Sequence, residues 1–298
     1  QKISAAAKNN MKDNDTMYGY DLQNFRRDLR TFGMDLTGLT GLLAGMERGA
    51  AWVDMSTVSP SSSRLMAALA EREKAVAIFG GLHTTVALAQ VPVWHELRTP
   101  YMGVWAAGTE IARNGKSPNF VFRVSANDDY VDKFLVRYAT DTLKKSKPGL
   151  LLENTAWGQS NEAGLNKYLG QKNIKPVGTE KFNWNDPDMS PQLLRLKNAG
   201  ADHVILVGNA PEAAQVVKSR AKIGWEVPMV AHWGISGGRF AELTGDLSDG
   251  VAFLQTYTFF GKQNERGEAV LKALKDKYGV KGPEDITAPV GVANAYDG

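Results

Sequence analysis

From Ala75 onward the chain alternates short runs rich in Val, Ile and Leu with amphipathic segments. The apolar runs predict eight strands, at 75–79, 101–105, 120–124, 149–152, 177–182, 203–207, 228–231 and 251–257. Helical patterns separate most of them, at 84–97, 128–143, 161–171, 191–198 and 211–223, and a last one follows at 267–278. Apolar strands that alternate with helices predict the α/β class, with parallel sheets flanked by helices.

Residues at helix ends support these assignments. Ser190 stands before Pro191, as an N-cap followed by proline at the first helical position, and Gly200 closes that helix. Asn209 opens the next helix, and Gly224 ends it.

Composition excludes several classes of protein. The 298 residues are more than one core of ordinary size needs, which favours two lobes. The net charge of +3 comes from interspersed signs without a basic block, which argues against a nucleic-acid partner. No apolar run approaches the roughly 20 residues of a membrane span. The chain has no cysteine, which excludes disulfides, thiolate metal sites and thiol catalysis.

The first 74 residues follow a different pattern. Residues 1–28 are polar and contain no clear strand, whereas 31–37 predict a short strand and 64–74 a helix. The start of the chain lacks the apolar core of a signal peptide. Composition leaves two alternatives open, a cytosolic protein or one whose leader has been removed.

The strongest enzymatic motif is the G-x-S-x-G stretch at 234–238, which matches a nucleophile elbow around Ser236. That elbow requires an acid and then a histidine later in the chain, but all four histidines precede it. Dinucleotide and Walker A fingerprints are absent, and the histidines lack zinc-site spacing. The sequence therefore predicts a protein that is not an enzyme and has neither cofactor nor metal.

A family resemblance begins with GGLHTTVALAQ at 80–90, which follows a strand and opens a helix. This segment resembles the ligand loop of type I periplasmic solute-binding proteins of ABC importers, in the branched-chain amino acid (Leu/Ile/Val) group. Further similar segments follow in order across most of the chain, at 100–109, 120–125, 152–158, 200–208 and 290–297. Each motif is weak alone, and the ordered set is specific.

The resemblance implies two Rossmann-like lobes joined by three hinge crossovers, near Ser125, near Phe253 and beyond Gly298. Residues 1–30 would be a polar extension, 31–125 with 254–298 an incomplete N-terminal lobe, and 126–253 the C-terminal lobe. Ligand would bind between the lobes at the carboxyl ends of the strands, and the lobes would close on it. The family also has a turn and an edge strand between 49–53 and 59–63, and more chain after Asp297, so we expect the sequence to omit segments.

In the first lobe, Thr84 and Thr85 stand at a helix start, where free N–H groups and the positive dipole end favour an anion. The resemblance matches Thr84 to a ligand-binding hydroxyl residue, although a simple N-cap is the alternative. It matches Ala106 to a position that offers its backbone N–H to the ligand. Ala107 falls where many relatives have a hydroxyl residue, so one donor would be missing.

In the second lobe, the resemblance places Trp157 over the ligand, although this side chain could equally pack within its own lobe. Asn209 is either a polar ligand contact or a helix cap. Trp233 stands where amino-acid binders carry an acid that pairs with the ligand ammonium. Together with Trp105 it predicts an aromatic-walled site, which suits a flat or apolar ligand, or a quaternary ammonium. Our hypothesis is a carboxylate ligand that need not be an α-amino acid, such as an aromatic or aliphatic acid.

These expectations describe a monomeric periplasmic receptor, its signal peptide removed, that delivers a small molecule to ABC permease subunits. The alternative is a ligand-sensing domain of a regulator or signalling receptor that uses the same clamp.

Overall fold

The computed structural model describes residues 52–54, 75–236 and 240–286, which form two parallel sheets. The first sheet has the order β1-β2-β3-β4. Its strands are β1 (Trp52–Asp54), β2 (Ile78–Gly80), β3 (Tyr101–Gly103) and β4 (Val121–Arg123). Strand β1 was not predicted, and the elements expected at 31–37 and 64–74 lie outside the described residues.

The second sheet has the order β6-β5-β7-β8-β9, and every pairing in it is parallel. Its strands are β5 (Pro148–Glu153), β6 (Gly178–Phe182), β7 (His203–Val207), β8 (Met229–Ala231) and β9 (Val251–Phe253). All eight strands predicted from Ala75 onward are therefore confirmed, most of them shorter than the apolar runs. The α/β class with parallel sheets is confirmed as well.

Eight α-helices lie within the described residues. They are α1 (Thr84–Leu97), α2 (Thr109–Ala112), α3 (Asp128–Arg137), α4 (Ala156–Gln171), α5 (Ser190–Asn198), α6 (Ala210–Lys222), α7 (Phe240–Thr244) and α8 (Glu265–Tyr278). The short helix α2 was not predicted, and a π-helical turn (Tyr138–Thr142) follows α3. Across the described part of the chain, no helix combines the length and the apolar character that a membrane crossing requires.

The second sheet is covered on both faces, because its side chains alternate between them. Leu150 and Leu152 belong to a buried cluster with Leu135 of α3 and Leu165 of α4. Leu151, one position along, belongs instead to a cluster with residues of α5 and α6. Strands β5 and β7 are buried along their whole length, as central strands of a parallel sheet should be.

The helix-end predictions are largely confirmed. Gly200 and Gly224 follow α5 and α6 with φ of 81° and 56°, left-handed values that glycine adopts most readily. The predicted N-cap at Ser190 was wrong by one position, since Met189 is the N-cap residue and Ser190 begins the helix. The Ser190 hydroxyl donates to Asp188 Oδ1 at 2.5 Å instead of capping.

The order of strands fixes where a ligand crevice lies in the second sheet. From β5 the chain passes through α4 to β6 on one side, and then crosses through α5 to β7 on the other. Helix α4, which follows β5, and helix α6, which follows β7, pack on opposite faces of the sheet. The connections after β5 and β7 therefore diverge, and a crevice opens at the carboxyl ends of these two strands.

Candidate functional site

Residues 107–109 lead from the loop after β3 into the first residue of α2, and they contact several other elements. The Gly108 N–H donates to Thr84 Oγ1 at 3.1 Å, and the Gly108 carbonyl accepts a hydrogen bond from Arg123 Nη2. The Ala107 carbonyl accepts from the Asp128 N–H at 2.8 Å. We call residues 107–109 the hub turn, because they join the starts of α1 and α3 to the end of β4.

The hub turn also contacts a helix of the second sheet. The Thr109 N–H donates to Ser160 Oγ of α4 at 3.2 Å, and Thr109 Oγ1 accepts from the Asp129 N–H at 3.3 Å. The same short segment therefore makes contacts on both sides of the space between the two sheets.

Thr84 is the first residue of α1 and not its cap. The N-cap residue is His83, whose side chain makes no capping hydrogen bond. The Thr84 hydroxyl, only 2% exposed, accepts from the hub turn instead, and it keeps its own hydrogen to donate. The first N–H groups of a helix lack acceptors within it, so this end of α1 offers donors and a positive dipole end. Thr85 follows on the exposed side.

The structure corrects the expectation for Ala106. Its backbone N–H donates to the Gly81 carbonyl at 2.7 Å, so this donor is already satisfied within the protein. Ala106 and Ala107 are both buried, at 3% and 2% exposure. The Ala106 side chain packs in the core of the first sheet, the Ala107 side chain packs with Trp105, Trp157 and Trp233, and neither offers a polar group.

Gly108 is required by the close approach of α1. A Cβ atom built on Gly108 would lie 2.3 Å from Thr84 Cγ2, far inside van der Waals contact. Glycine at this position is therefore what allows the hub turn to reach the Thr84 hydroxyl.

The three tryptophans of the predicted aromatic wall come together between the sheets. Trp105 follows β3, and its ring meets Trp233, which follows β8, edge to face with centroids 6.2 Å apart. His232 lies 4.5 Å from the Trp233 ring and 5.0 Å from Trp157, again edge to face. The three indoles are 6% exposed or less, so they pack against one another in this structure. We call Trp105, Trp157, Trp233 and His232 the aromatic cluster.

The Asp128 carboxylate accepts hydrogen bonds from two rings of the aromatic cluster. Its Oδ1 accepts from the Trp157 indole N–H and from His232 Nε2, each at 3.2 Å. The Trp233 N–H donates to His232 Nδ1 at 2.9 Å, so Nδ1 carries no hydrogen and the neutral imidazole donates through Nε2. Asp128 and His232 both lie within residues 126–253, so these contacts agree with the alternative in which Trp157 packs within its own lobe.

A second polar group lies in the crevice between β5 and β7. Glu153, at the end of β5 and 1% exposed, accepts from Thr155 Oγ1 and from Asn209 Nδ2, both at 3.0 Å. Burial raises the pKa of Glu153, and its hydrogen-bond donors, Trp184 first among them, act against that rise. Asn209 is the N-cap residue of α6, as predicted, but its side chain makes no capping hydrogen bond and donates to Glu153 instead.

Trp184 and His83 make a further contact between the two sheets. Their rings meet edge to face at 4.6 Å, His83 coming from the loop after β2 and Trp184 from the loop after β6. Burial lowers the pKa of His83 to about 4, which leaves its imidazole neutral at physiological pH. The Trp184 ring remains 45% exposed.

The structure thus brings together Trp105, Trp157 and Trp233, connects Thr84 to them through the hub turn, and places Asn209 at the adjacent crevice. Sequence reasoning missed Arg123, Asp128 and Glu153. Arg123 and Glu153 could have been identified from the sequence, because each is a charged residue at the carboxyl end of a strand, where ligands bind in α/β folds. Within the described residues, no three His, Cys, Asp or Glu side chains are grouped so as to hold a metal ion.

A family model and several known proteins match this chain. The model of a family described as "Periplasmic binding protein" matches residues 49–296. The Leu/Ile/Val-binding protein homolog 1 of Brucella abortus is 26% identical over 156 residues, which cover 52% of this chain and 42% of that relative. The matched region therefore spans under half the length of that relative.

Two solved structures have the same fold. A solute-binding protein of Rhodopseudomonas palustris in complex with 4-hydroxybenzoate has a TM-score of 0.70 at 23% identity, covering 81% of this chain and 65% of its own. The branched-chain amino acid transporter substrate-binding protein LivJ of Streptococcus pneumoniae, in complex with isoleucine, has a TM-score of 0.67 at 18% identity. It covers 81% of this chain and 66% of its own.

Proposed function

The chain belongs to the periplasmic binding protein family, and we propose from this premise that it captures a small carboxylate-bearing ligand between its two sheets for uptake by an ABC importer. Binding would be reversible and without covalent chemistry. The protein would act outside the cytoplasm and deliver its loaded form to permease subunits.

One observation carries the proposal: the hub turn connects the start of α1 to the aromatic cluster. Its Gly108 N–H donates to the Thr84 hydroxyl, and its Ala107 side chain shares a buried cluster with Trp105, Trp157 and Trp233. The Thr84 hydroxyl and the first N–H groups of α1 supply donors for a carboxylate. Trp105, Trp157 and Trp233 supply apolar ring surface nearby. A site with a few polar groups and aromatic walls is typical of small-molecule receptors.

Ligand entry requires the sheets to separate, because Trp105 and Trp233 are in contact. Hinge motion between an open and a closed arrangement provides this separation. The ligand would then replace the ring-to-ring contacts of the aromatic cluster with contacts to itself, which favours a flat or apolar body.

The ligand class is an aromatic or aliphatic acid in this proposal, with branched-chain amino acids as the alternative. Trp233 cannot accept a hydrogen bond from an ammonium group, since the indole N–H is a donor only. Both ligand classes occur among the similar structures, as the 4-hydroxybenzoate and isoleucine complexes illustrate.

A thermal-shift panel tests the proposal. Benzoate, 4-hydroxybenzoate, short aliphatic acids, leucine and valine are each added to the purified protein. A ligand present at 100 times its Kd stabilises the native state by about 2.7 kcal/mol, which raises the Tm by several degrees. We expect at least one acid to do so.

Thr84→Val removes the hydroxyl at nearly constant shape and should abolish the shift. Thr179→Val is the matched control, because Thr179 lies exposed on the edge strand β6, away from the site. The proposal fails if no small carboxylate stabilises the protein, or if Thr84→Val responds as the parent protein does.

A further inference from the structure

Arg123 carries hydrogen-bond donors that the rest of the described structure does not use. It is the last residue of β4, and its Nη2 donates to the Gly108 carbonyl of the hub turn. Its Nε and Nη1 are buried and have no hydrogen-bond partner among the described residues. Buried donors are costly to leave unpaired, so these nitrogens call for an acceptor.

The position of Arg123 makes a ligand carboxylate a suitable acceptor. The guanidinium contacts Gly108, and the N–H of the same glycine contacts the Thr84 hydroxyl. Arg123 therefore lies on the side of the site where the start of α1 already favours an anion. Burial lowers the pKa of Arg123, whereas the Asp128 carboxylate acts to raise it. An arginine keeps its charge under such conditions.

The carboxylates around the site are used in a different way. Both oxygens of Glu153 accept hydrogen bonds from protein side chains. Asp128 Oδ1 accepts hydrogen bonds from two ring N–H groups. Asp128 Oδ2 has no hydrogen-bond partner among the described residues, and the Asp128 residue is 0% exposed. Arg123 Nε and Nη1 are therefore donors without a partner among the described residues, whereas three of the four carboxylate oxygens of Glu153 and Asp128 already accept hydrogen bonds.

From this asymmetry we infer that Arg123 holds the carboxylate of the ligand, and that the site selects small monocarboxylates without an ammonium group, such as benzoates, over amino acids. The inference rests on the proposed function and adds to it a specificity-determining residue and a ligand class.

Isothermal titration calorimetry tests this with benzoate, benzamide and leucine as probes. Benzamide keeps the size and ring of benzoate without the charge. The parent protein should bind benzoate at least tenfold more tightly than benzamide or leucine. This comparison uses no variant, so it remains decisive even if a substitution at Arg123 prevents folding.

Arg123→Gln should weaken benzoate binding at least tenfold and leave the benzamide affinity unchanged, whereas a purely structural role would weaken both alike. Arg123→Lys, which keeps a positive charge, should recover part of the benzoate affinity. Arg195→Gln is the control, because Arg195 lies on the exposed side of α5 and pairs with Glu180. It should bind benzoate as the parent protein does.

Different outcomes test the role of Arg123 and the proposed receptor function. Tighter binding of leucine than of benzoate, or unchanged benzoate affinity in Arg123→Gln, overturns the inference about Arg123 while the receptor proposal stands. Absence of binding by any carboxylate, aliphatic acids and valine included, overturns both.

Discussion

Replacing Asp128 by alanine tests the geometry of the aromatic cluster. The Asp128 carboxylate accepts from the Trp157 indole and from His232, and it is fully buried. Alanine leaves both ring N–H groups without an acceptor. A buried donor left unsatisfied costs about 1–3 kcal/mol, so the two together lower the free energy of unfolding by about 2–6 kcal/mol.

Asp128→Asn should cost much less. The amide oxygen can still accept from both rings, and a neutral acceptor is weaker than a charged one by about 1 kcal/mol. Asp141→Ala serves as the control, because Asp141 lies on the surface with 52% of its side chain exposed. Its replacement should leave stability unchanged.

Urea unfolding followed by circular dichroism measures the three variants against the parent protein. The expected order of stability is parent and Asp141→Ala together, then Asp128→Asn, then Asp128→Ala. If Asp128→Ala unfolds at the same urea concentration as the parent, the carboxylate does not hold the rings, and the described arrangement of the cluster is wrong.

Two further predictions concern packing and pH. Gly108→Ala places a Cβ atom 2.3 Å from Thr84 Cγ2, so it should lower the free energy of unfolding by about 1–3 kcal/mol, measured by urea unfolding. Gly170→Ala is the control, because its Cβ would meet no atom within 4 Å, and it should not destabilise the protein. Equal effects of the two substitutions would contradict the close approach of Gly108 to Thr84. Burial, with the nearby Asp128 charge, raises the pKa of Asp132 well above 3.8, so the folded state binds the proton more tightly and stability falls as the pH rises above about 4. Asp132→Asn removes this loss, so the free energy of unfolding of the variant relative to the parent should rise by up to about 1.4 kcal/mol per pH unit until the folded-state pKa of Asp132 is reached. The same difference in stability at pH 4 and at pH 7 would refute the raised pKa of Asp132.

Much of the fold could be predicted from the sequence, because the central strands β5, β7 and β8 of the second sheet are fully buried and mostly apolar. The run 203–207 reads HVILV and is a fully buried central strand. Shorter elements were missed for a physical reason. Helix α2 has four residues, too few to establish a hydrophobic period, and it is held by contacts to other segments.

The candidate site was only partly predictable. The tryptophans were identified by their places in the resemblance, and the structure places their rings together. The role of Asp128 was hidden, because an acidic residue at a helix start ordinarily faces solvent and interacts with the helix dipole. Its burial depends on Trp157 and His232, which are 29 and 104 residues away in the chain. Such long-range pairings are set by the assembled fold and leave no local pattern.

Ala106 shows the opposite error. The family resemblance matched Ala106 to a donor position, but the Gly81 carbonyl already accepts that hydrogen bond. Whether a backbone N–H is free depends on the neighbouring loop, which the sequence around Ala106 does not reveal.

The most direct test is a crystal structure of the protein grown with benzoate. The account predicts density for the acid between Trp105 and Trp233, with its carboxylate within hydrogen-bond distance of the Thr84 hydroxyl and the Arg123 guanidinium. Benzoate bound elsewhere, with these two indoles still packed ring to ring, would contradict it.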